Sequence, residues 1–465
     1  MILAVDQGTS STKATLFDRT GAAVTSASVP LGQAHPRPGW VQQDAGEILD
    51  GVRQVITEIA ASHEIEAVAL STQRESALVW DRATGEPVGP MLGWQDRRTT
   101  HRVAELADHA ARIRRISGLP VDPMFSALKL QWLLDDVDPD RARSRRGELC
   151  AGTVDSWLVT RLTGEHRIEA GNASRTQLLD LATGDWSDEL CELFEIPREV
   201  LPRVAASDEP TGEVDGLPGR VIRAVLGDSH AGLYGHGVRG PGTLRSGYGT
   251  GSAIMGLIDD ASHVPAGLVG TVAWRLGDHT QVAMEGNILA SGATIAWLSR
   301  LLGRPVAELT EAARAVPEDH GVTLVPAVAG LGAPHWDPHA RAVLVGFDLG
   351  TTPAILARAG MEAIANQVAD VVDAAAVAAP VEAILADGAP AADDFLMQLQ
   401  ADLSGREVRR PTHAGLSARG AAQLAADTLG IAFDAVDSDV FTPAGDNRAA
   451  RARWSQALTL TRKEN

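Results

Sequence analysis

The sequence predicts an α/β protein of two or three domains, on three observations. Short apolar runs stop abruptly at polar clusters, after Val5, Ser71 and Leu226. Stretches with helical spacing, such as Glu47 to Ala61 and Pro353 to Ala374, lie among these runs. A glycine-rich tip between two strands occurs once in each half, at Asp6 to Ser10 and at Gly247 to Gly251. In α/β folds the ends of strands are where ligands bind, so the polar clusters are the candidate functional positions.

The opening stretch, MILAVDQGTSSTKATLFD, reads as a β-hairpin. Ile2 to Val5 and Ala14 to Phe17 are its apolar arms, and Asp6-Gln7-Gly8-Thr9-Ser10-Ser11 is turn chemistry. Gly8 admits a backbone geometry that a side chain would hinder, so that successive N–H groups and hydroxyls can converge on an anion, with Lys13 adding positive charge. Asp6 would repel a phosphate unless a cation lay between them. Mg²⁺, which prefers carboxylate, water and phosphate oxygens, is the ion that such a strand-end Asp suits. An ordinary hairpin uses the same residues, and this stretch alone leaves both readings open.

Composition narrows the class. A chain of 465 residues that is 45% hydrophobic can bury substantial cores. Its 41 Lys and Arg against 60 Asp and Glu, a net charge of -19, argue against a broad nucleic-acid surface, so an anionic ligand must be held by local groups. Cys150 and Cys191 are the only cysteines and form no CxxC, which points to reduced thiols rather than a disulfide scaffold or thiolate zinc site. No basic segment with a long apolar core opens the chain, and the Ala-rich run near Ala374 to Pro380 is too short to span a bilayer. The Asn172-Ala173-Ser174 acceptor pattern is therefore read as accidental.

Beyond the hairpin, Ala22 to Val29 read as a third strand and Glu47 to Ala61 as a helix. Ala67 to Ser71 form a strand that ends in Thr72-Gln73-Arg74-Glu75-Ser76. Arg74 and Glu75 offer fixed donors and two acceptors, a set suited to the adjacent hydroxyls of a polyol or sugar; an exposed ion pair in a turn is the alternative. Met91 to Trp94 end in Gln95-Asp96-Arg97-Arg98, and Trp94 could cover the carbon face of such a substrate.

Here the sequence resembles the FGGY carbohydrate kinases, most closely their glycerol-phosphorylating members. The resemblance runs through VDQGTSSTK, STQRESALVWDRATGEP, LGWQDRRT, GLPVDPMFSALKLQWLLD, GTVDSWLVTRLTGE, GNASRTQLLDLATGDW and IPREVLPRV. It implies an actin-like ATPase fold in which two ribonuclease-H-like domains close over ATP and a polyol or sugar, with an interdomain catalytic cleft. By matching position it implies that Thr9, Ser10, Ser11 and Lys13 meet ATP phosphates and that Arg74 and Glu75 bind substrate hydroxyls. Met124 stands where the glycerol-phosphorylating members place a Tyr against the substrate, and it cannot supply a phenolic hydroxyl.

In the second half, Arg220 to Leu226 read as a strand ending in Gly227-Asp228-Ser229-His230. The resemblance makes Asp228 the base that takes the proton of the attacking hydroxyl; from its residue type and place it also reads as a helix N-cap, and the roles are compatible. Ser229 stands where the resemblance has a Gln, so the pocket is either roomier or suited to a larger substrate, while His230 is a candidate substrate contact or proton partner, with a structural histidine as the plainer reading. Gly235 to Gly240 satisfy GxGxxG by spacing, but a helical pattern precedes them and a β-rich one follows, the reverse of a dinucleotide fingerprint. Thr250 belongs to the second glycine-rich tip, which the resemblance makes the second phosphate loop. Gly292 matches a nucleotide contact, although Ala296 replaces a Gln, and the tight segment AVAGLGAPHWDPHARAVLVGF is another family match. Gly388 and Ala389 occupy the position of a glycine pair against adenosine. Asp393 stands where the family has an adenine-contacting Asn, which raises the question of a different phosphoryl donor.

The resulting expectation is a cytoplasmic kinase with ATP and Mg²⁺ as cofactors and a small polyol or sugar as substrate, glycerol first. Residues 1–233 are expected to carry the substrate set and first phosphate loop, and 234–465 the second loop and adenosine site. The alternatives are a ketopentose or tetritol kinase of the same family, favoured by Met124 and Ser229, or a non-catalytic actin-like nucleotide-binding protein. No nucleic-acid or membrane partner is expected; a homodimer is the assembly entertained.

Overall fold

A computed structural model describes residues 1–413 and 415–461. The chain divides into two compact units, one of residues 1–237, 270–283 and 415–435, the other of residues 238–269, 284–414 and 436–465.

The first unit is built on a six-stranded sheet. Ile2–Gln7 and Ser11–Phe17 pair antiparallel as the expected hairpin, Ala23–Pro30 extends it, and Ala67–Thr72 lies parallel to Ile2–Gln7 on its other side. Leu217–Gly227 lies parallel to Ala67–Thr72, with Gly227 opposite Thr72, and Thr72 is opposite Gln7. Three parallel strands thus stop at one edge, and the polar clusters seen in the sequence begin there. Ile2–Gln7 and Ala67–Thr72 are buried almost throughout, and Leu217–Gly227 is buried over its last four residues, as strands covered on both faces are. Helix Ala45–Ala60 starts at Asp44, whose carboxylate accepts the Glu47 N–H, and it buries Ile48, Leu49, Val52, Val55, Ile56 and Ile59 against the sheet core.

Helix Leu416–Asp427 explains why a late segment belongs to this unit. It packs on helix Asp228–Gly235 so closely that a Cβ at Gly420 would fall 1.8 Å from the Ala231 carbonyl oxygen. Tyr234 donates its hydroxyl to Asp427 at 2.6 Å across the same contact.

The second unit repeats the pattern. Thr243–Tyr248 and Ser252–Ile258 form an antiparallel hairpin, and Ala383–Asp387 runs parallel to the first of these strands. Glu407–Pro411 and Ser438–Phe441 extend the sheet. The long helix Pro353–Ala375 buries Ile364, Val368 and Val371, and its Gly360 lets Leu298 and Ile295 of helix Gly292–Leu302 approach to where a side chain would stand. No helix among the described residues is long and apolar enough to cross a membrane. Cys150 and Cys191 are buried free thiols, and Asn172 is fully buried.

Candidate active site

At the common strand edge of the first unit, Gln73 is tied down before Arg74 begins. Its N–H donates to the Gln7 carbonyl at 2.8 Å, its side-chain amide bonds Gln7 and Gln43, and Ser76 donates to it at 2.8 Å. The exposed ion pair considered for Arg74 and Glu75 does not occur, because both residues are buried. Glu75 adopts the left-handed conformation, φ 63°, in which a non-glycine residue is strained. Its carbonyl accepts from the Ser126 hydroxyl at 3.0 Å and from the Lys129 ammonium at 3.2 Å. Its carboxylate accepts from Arg175 Nε at 2.6 Å and lies 3.9 Å from Arg74 Nε.

Asp228 completes this cluster, with Oδ1 3.5 Å from Arg74 Nε. Its side chain is 41% exposed, whereas those of Arg74 and Glu75 are 6% and 7% exposed, so the Asp228 carboxylate is the open face of a buried charge array. The N-cap assignment for Asp228 is corrected: Gly227 caps helix Asp228–Gly235, and Asp228 is its first residue. Its Oδ1 accepts the Ser229 N–H at 2.6 Å. Gly227 is required by Arg74, whose Cδ would lie 2.7 Å from an added Cβ. His230, fully buried, faces Arg74 Nη1 at 3.4 Å.

Trp94 reaches the first hairpin. It is half-buried, and its indole N–H donates to the Thr9 hydroxyl at 3.0 Å while its main-chain N–H donates to Ser76 at 3.0 Å. The loop beneath it is set by a buried Asp96–Arg98 pair, with the Arg98 guanidinium 3.8 Å over the Trp40 ring. Met124 is half-buried, its N–H on Asp122 at 2.8 Å and its carbonyl held by Lys129; Ser229 is half-buried beside Asp228.

The hairpin tip presents Ser10 and Lys13 to solvent and leaves Thr9 and Ser11 half-buried. Gly8 does not use the left-handed region; its N–H closes the turn on the Ser11 carbonyl at 3.0 Å. Asp6, opposite Lys13 in register, accepts the Ser71 hydroxyl at 2.7 Å.

In the second unit the Gly247 to Gly251 tip is fastened to helix Gly292–Leu302. The Gly249 carbonyl accepts the Gly292 N–H at 2.9 Å, and the Thr250 carbonyl accepts those of Ser291 and Ala293. A Cβ on Gly292 would stand 2.6 Å from the Gly249 oxygen, which explains the glycine. Gly388, φ 94°, closes on the same hairpin, since a Cβ there would meet the Tyr248 oxygen at 1.9 Å. Thr250, Gly388 and Ala389 are exposed. Asp393 caps helix Asp394–Ser404 through the Phe395 and Leu396 N–H groups and pairs with Arg314 at 2.9 Å. The GxGxxG run begins at the end of a helix, and a strand follows at Thr243, the order that excludes a dinucleotide turn.

Arg175 and Lys129, both fully buried, are the site residues that sequence reasoning missed. Arg175 is placed by the short helix Ala170–Ser174, which Glu169 caps by accepting the Gly171 and Asn172 N–H groups at 2.8 Å each. Behind it Asp155 accepts the Glu169 N–H at 3.0 Å. Burial pushes the Asp155 carboxyl up to about 6 and the Glu169 carboxyl up to about 7.

The repeated hairpin with its parallel partner strand, once in each unit, defines a two-domain protein of the actin-like ATPase fold. The sequence profiles of the N-terminal and C-terminal domains of the FGGY family of carbohydrate kinases match residues 1–217 and 246–429. Glycerol kinase of Rhodopirellula baltica is 42% identical over 99% of this chain and 91% of its own, and that of Citrifermentans bemidjiense is 42% identical over 92% and 90%. Among solved structures, Plasmodium falciparum glycerol kinase with ADP superposes with a TM-score of 0.92 at 26% identity, covering 100% of this chain and 98% of that one. Xylulose kinase from Lactobacillus acidophilus, at a TM-score of 0.87 and 23% identity over 99% and 96%, shares the fold. The chain belongs to the FGGY family of carbohydrate kinases.

Proposed function

We propose that the protein transfers the γ-phosphoryl group of MgATP to a hydroxyl of a small polyol, with glycerol as the first acceptor and glycerol 3-phosphate and ADP as products. The observation that carries this reading is the charge array in which buried Arg74 and Glu75 stand beside the open carboxylate of Asp228, 3.5 Å from Arg74. Relatives 42% identical to the chain are glycerol kinases.

In this reading Asp228 takes the proton of the attacking hydroxyl, and Arg74 and Glu75 hold the other hydroxyls. Trp94 covers the carbon face, and Met124 and Ser229 complete the pocket wall. In the first unit Thr9, Ser10, Ser11 and Lys13 are the candidates for phosphate contact; in the second unit Thr250 is the phosphate candidate, and Gly292, Gly388, Ala389 and Asp393 are the adenosine candidates. Residues 1–233 thus carry the acceptor set and 234–465 the adenosine set. Asp6 suits Mg²⁺, because its carboxylate is half-buried at a strand end and steadied by Ser71 at 2.7 Å. One carboxylate beside phosphate oxygens and water is the usual setting for this ion, which when bound neutralises phosphate charge. A cytoplasmic location, where ATP is held, goes with this reading.

The test is ADP release from MgATP with glycerol, erythritol, ribitol, xylitol, D-xylulose, L-xylulose and D-ribulose, for wild type and Asp228→Asn. Turnover with glycerol that the variant loses supports the proposal. Turnover only with four- or five-carbon acceptors would favour the second reading, a tetritol or ketopentose kinase, for which the space left by Ser229 and the apolar Met124 speak. No turnover with any acceptor refutes both.

A further inference from the structure

Lys129 lies on helix Ser126–Val137 with no solvent exposure. Its ammonium is met by main-chain oxygens: the carbonyl of Glu75 at 3.2 Å, that of Phe125 at 3.4 Å, and that of Met124. Ser126, one turn earlier on the same helix, donates to the same Glu75 carbonyl at 3.0 Å. A buried ammonium is costly to keep, and burial pushes this one down to about 7. An apolar side chain of the same length would fill the space without that cost. What it could not do is hold two separate loops by their carbonyls at once.

Of the three gripped residues, Glu75 and Met124 are the ones that matter for an acceptor. Glu75 is held in a left-handed conformation that its side chain disfavours, and in that conformation its carboxylate meets Arg175 at 2.6 Å. Met124 sits on a loop where Asp122 accepts the Met124 N–H at 2.8 Å and the Arg97 guanidinium at 2.9 Å through its carboxylate, and the Phe125 N–H at 3.2 Å through its carbonyl, while Lys129 holds the Met124 carbonyl itself. We propose that Lys129 is a positioning residue of the acceptor pocket, which fixes the Glu75 carboxylate relative to the Met124 wall and so sets which polyol hydroxyl spacing fits. This rests on the reading that Glu75 and Met124 face the acceptor.

The experiment is steady-state kinetics of the full chain with MgATP and the preferred acceptor, for wild type, Lys129→Met, Lys129→Gln and Ser126→Ala. Lys129→Met should raise the acceptor KM at least about tenfold, the scale of losing hydrogen bonds from a charged group, and leave the ATP KM within about twofold. Lys129→Gln, which keeps an N–H donor, should recover part of the loss, and Ser126→Ala should shift the acceptor KM about threefold in the same direction. An unchanged acceptor KM in folded Lys129→Met, or equal rises in both KM values, overturns the proposal while the kinase reading stands. If Lys129→Met does not fold by circular dichroism, Ser126→Ala decides, and an acceptor KM equal to that of the wild type overturns it. A wild type without turnover refutes the kinase reading and this proposal with it.

Discussion

Removing Arg175 tests whether Glu75 is held by a buried ion pair. Arg175 is fully buried, its Nε lies 2.6 Å from Glu75 Oε1, and its guanidinium stacks 5.2 Å from the Phe125 ring centre. Arg175→Met keeps the apolar length and leaves a buried carboxylate without its nearest cation, a change that costs about 3–5 kcal/mol. Arg74 Nε, 3.9 Å from the same oxygen, offsets part of this. The expected loss is therefore at the lower end, about 3 kcal/mol, which at about 2 °C per kcal/mol for a unit of this size is a fall in Tm of about 6 °C. Glu75→Gln should cost a similar amount, because it removes the negative charge that Arg175 Nε meets at 2.6 Å. The double variant removes both charges and should be more stable than the sum of the single effects predicts, by about 2 kcal/mol. Urea and thermal denaturation of the four proteins, followed by circular dichroism, measure the cycle. Additive losses, with coupling below about 0.5 kcal/mol, would show that the pair is not what holds Glu75 and would remove the electrostatic argument for the site.

Asp228→Asn, isosteric and unable to take a proton, should lower kcat by about 10²–10⁴ with little change in acceptor KM; a coupled ADP assay showing less than a tenfold loss would exclude Asp228 as the base. Thr9→Val removes the acceptor of the Trp94 indole N–H and should raise the polyol KM about fivefold, read in the same assay. Gly388→Ala places a Cβ 1.9 Å from the Tyr248 oxygen at φ 94° and should raise the ATP KM while lowering Tm, by about 1–3 kcal/mol of strain or more. Asp155 gives a pH prediction. Burial raises its carboxyl to about 6, so the folded chain keeps a proton that the unfolded chain has released. Its contribution is whole below the ordinary carboxylate range near 4 and is lost as pH rises through about 6. Asp155→Asn, which can still bond Thr153 and the Glu169 N–H, should match wild type at pH near 4 and exceed it by about 2–3 kcal/mol at pH near 8; a gap equal at both values would refute the assignment.

The parts of this site that could be read from the sequence are those whose signal is local. An apolar run that halts at Asp6, at Thr72 or at Asp228 marks the end of a buried strand wherever the strand lies, and the parallel register then brings Gln7, Thr72 and Gly227 to one edge. Where the meaning of a residue depends on a distant partner, the local signal is neutral or misleading. Arg74-Glu75 looks like any exposed pair until Arg175, a hundred residues on, is laid against it, and Arg175 itself sits in a run with no periodicity to flag it. Asp228 was displaced by one position from the cap because Gly227 has the extended conformation that a cap needs, a backbone property its neighbours do not reveal. Asp393 is the opposite case: it accepts two helix N–H groups and pairs with Arg314, so its replacement by Asn would alter a cap and an ion pair along with any nucleotide contact. Lys129 did carry a signal that could have been used. A single Lys among Leu128, Leu130, Leu133 and Leu134, on the buried part of its helix, must find oxygens to bind, and the oxygens it finds include the Glu75 and Met124 carbonyls.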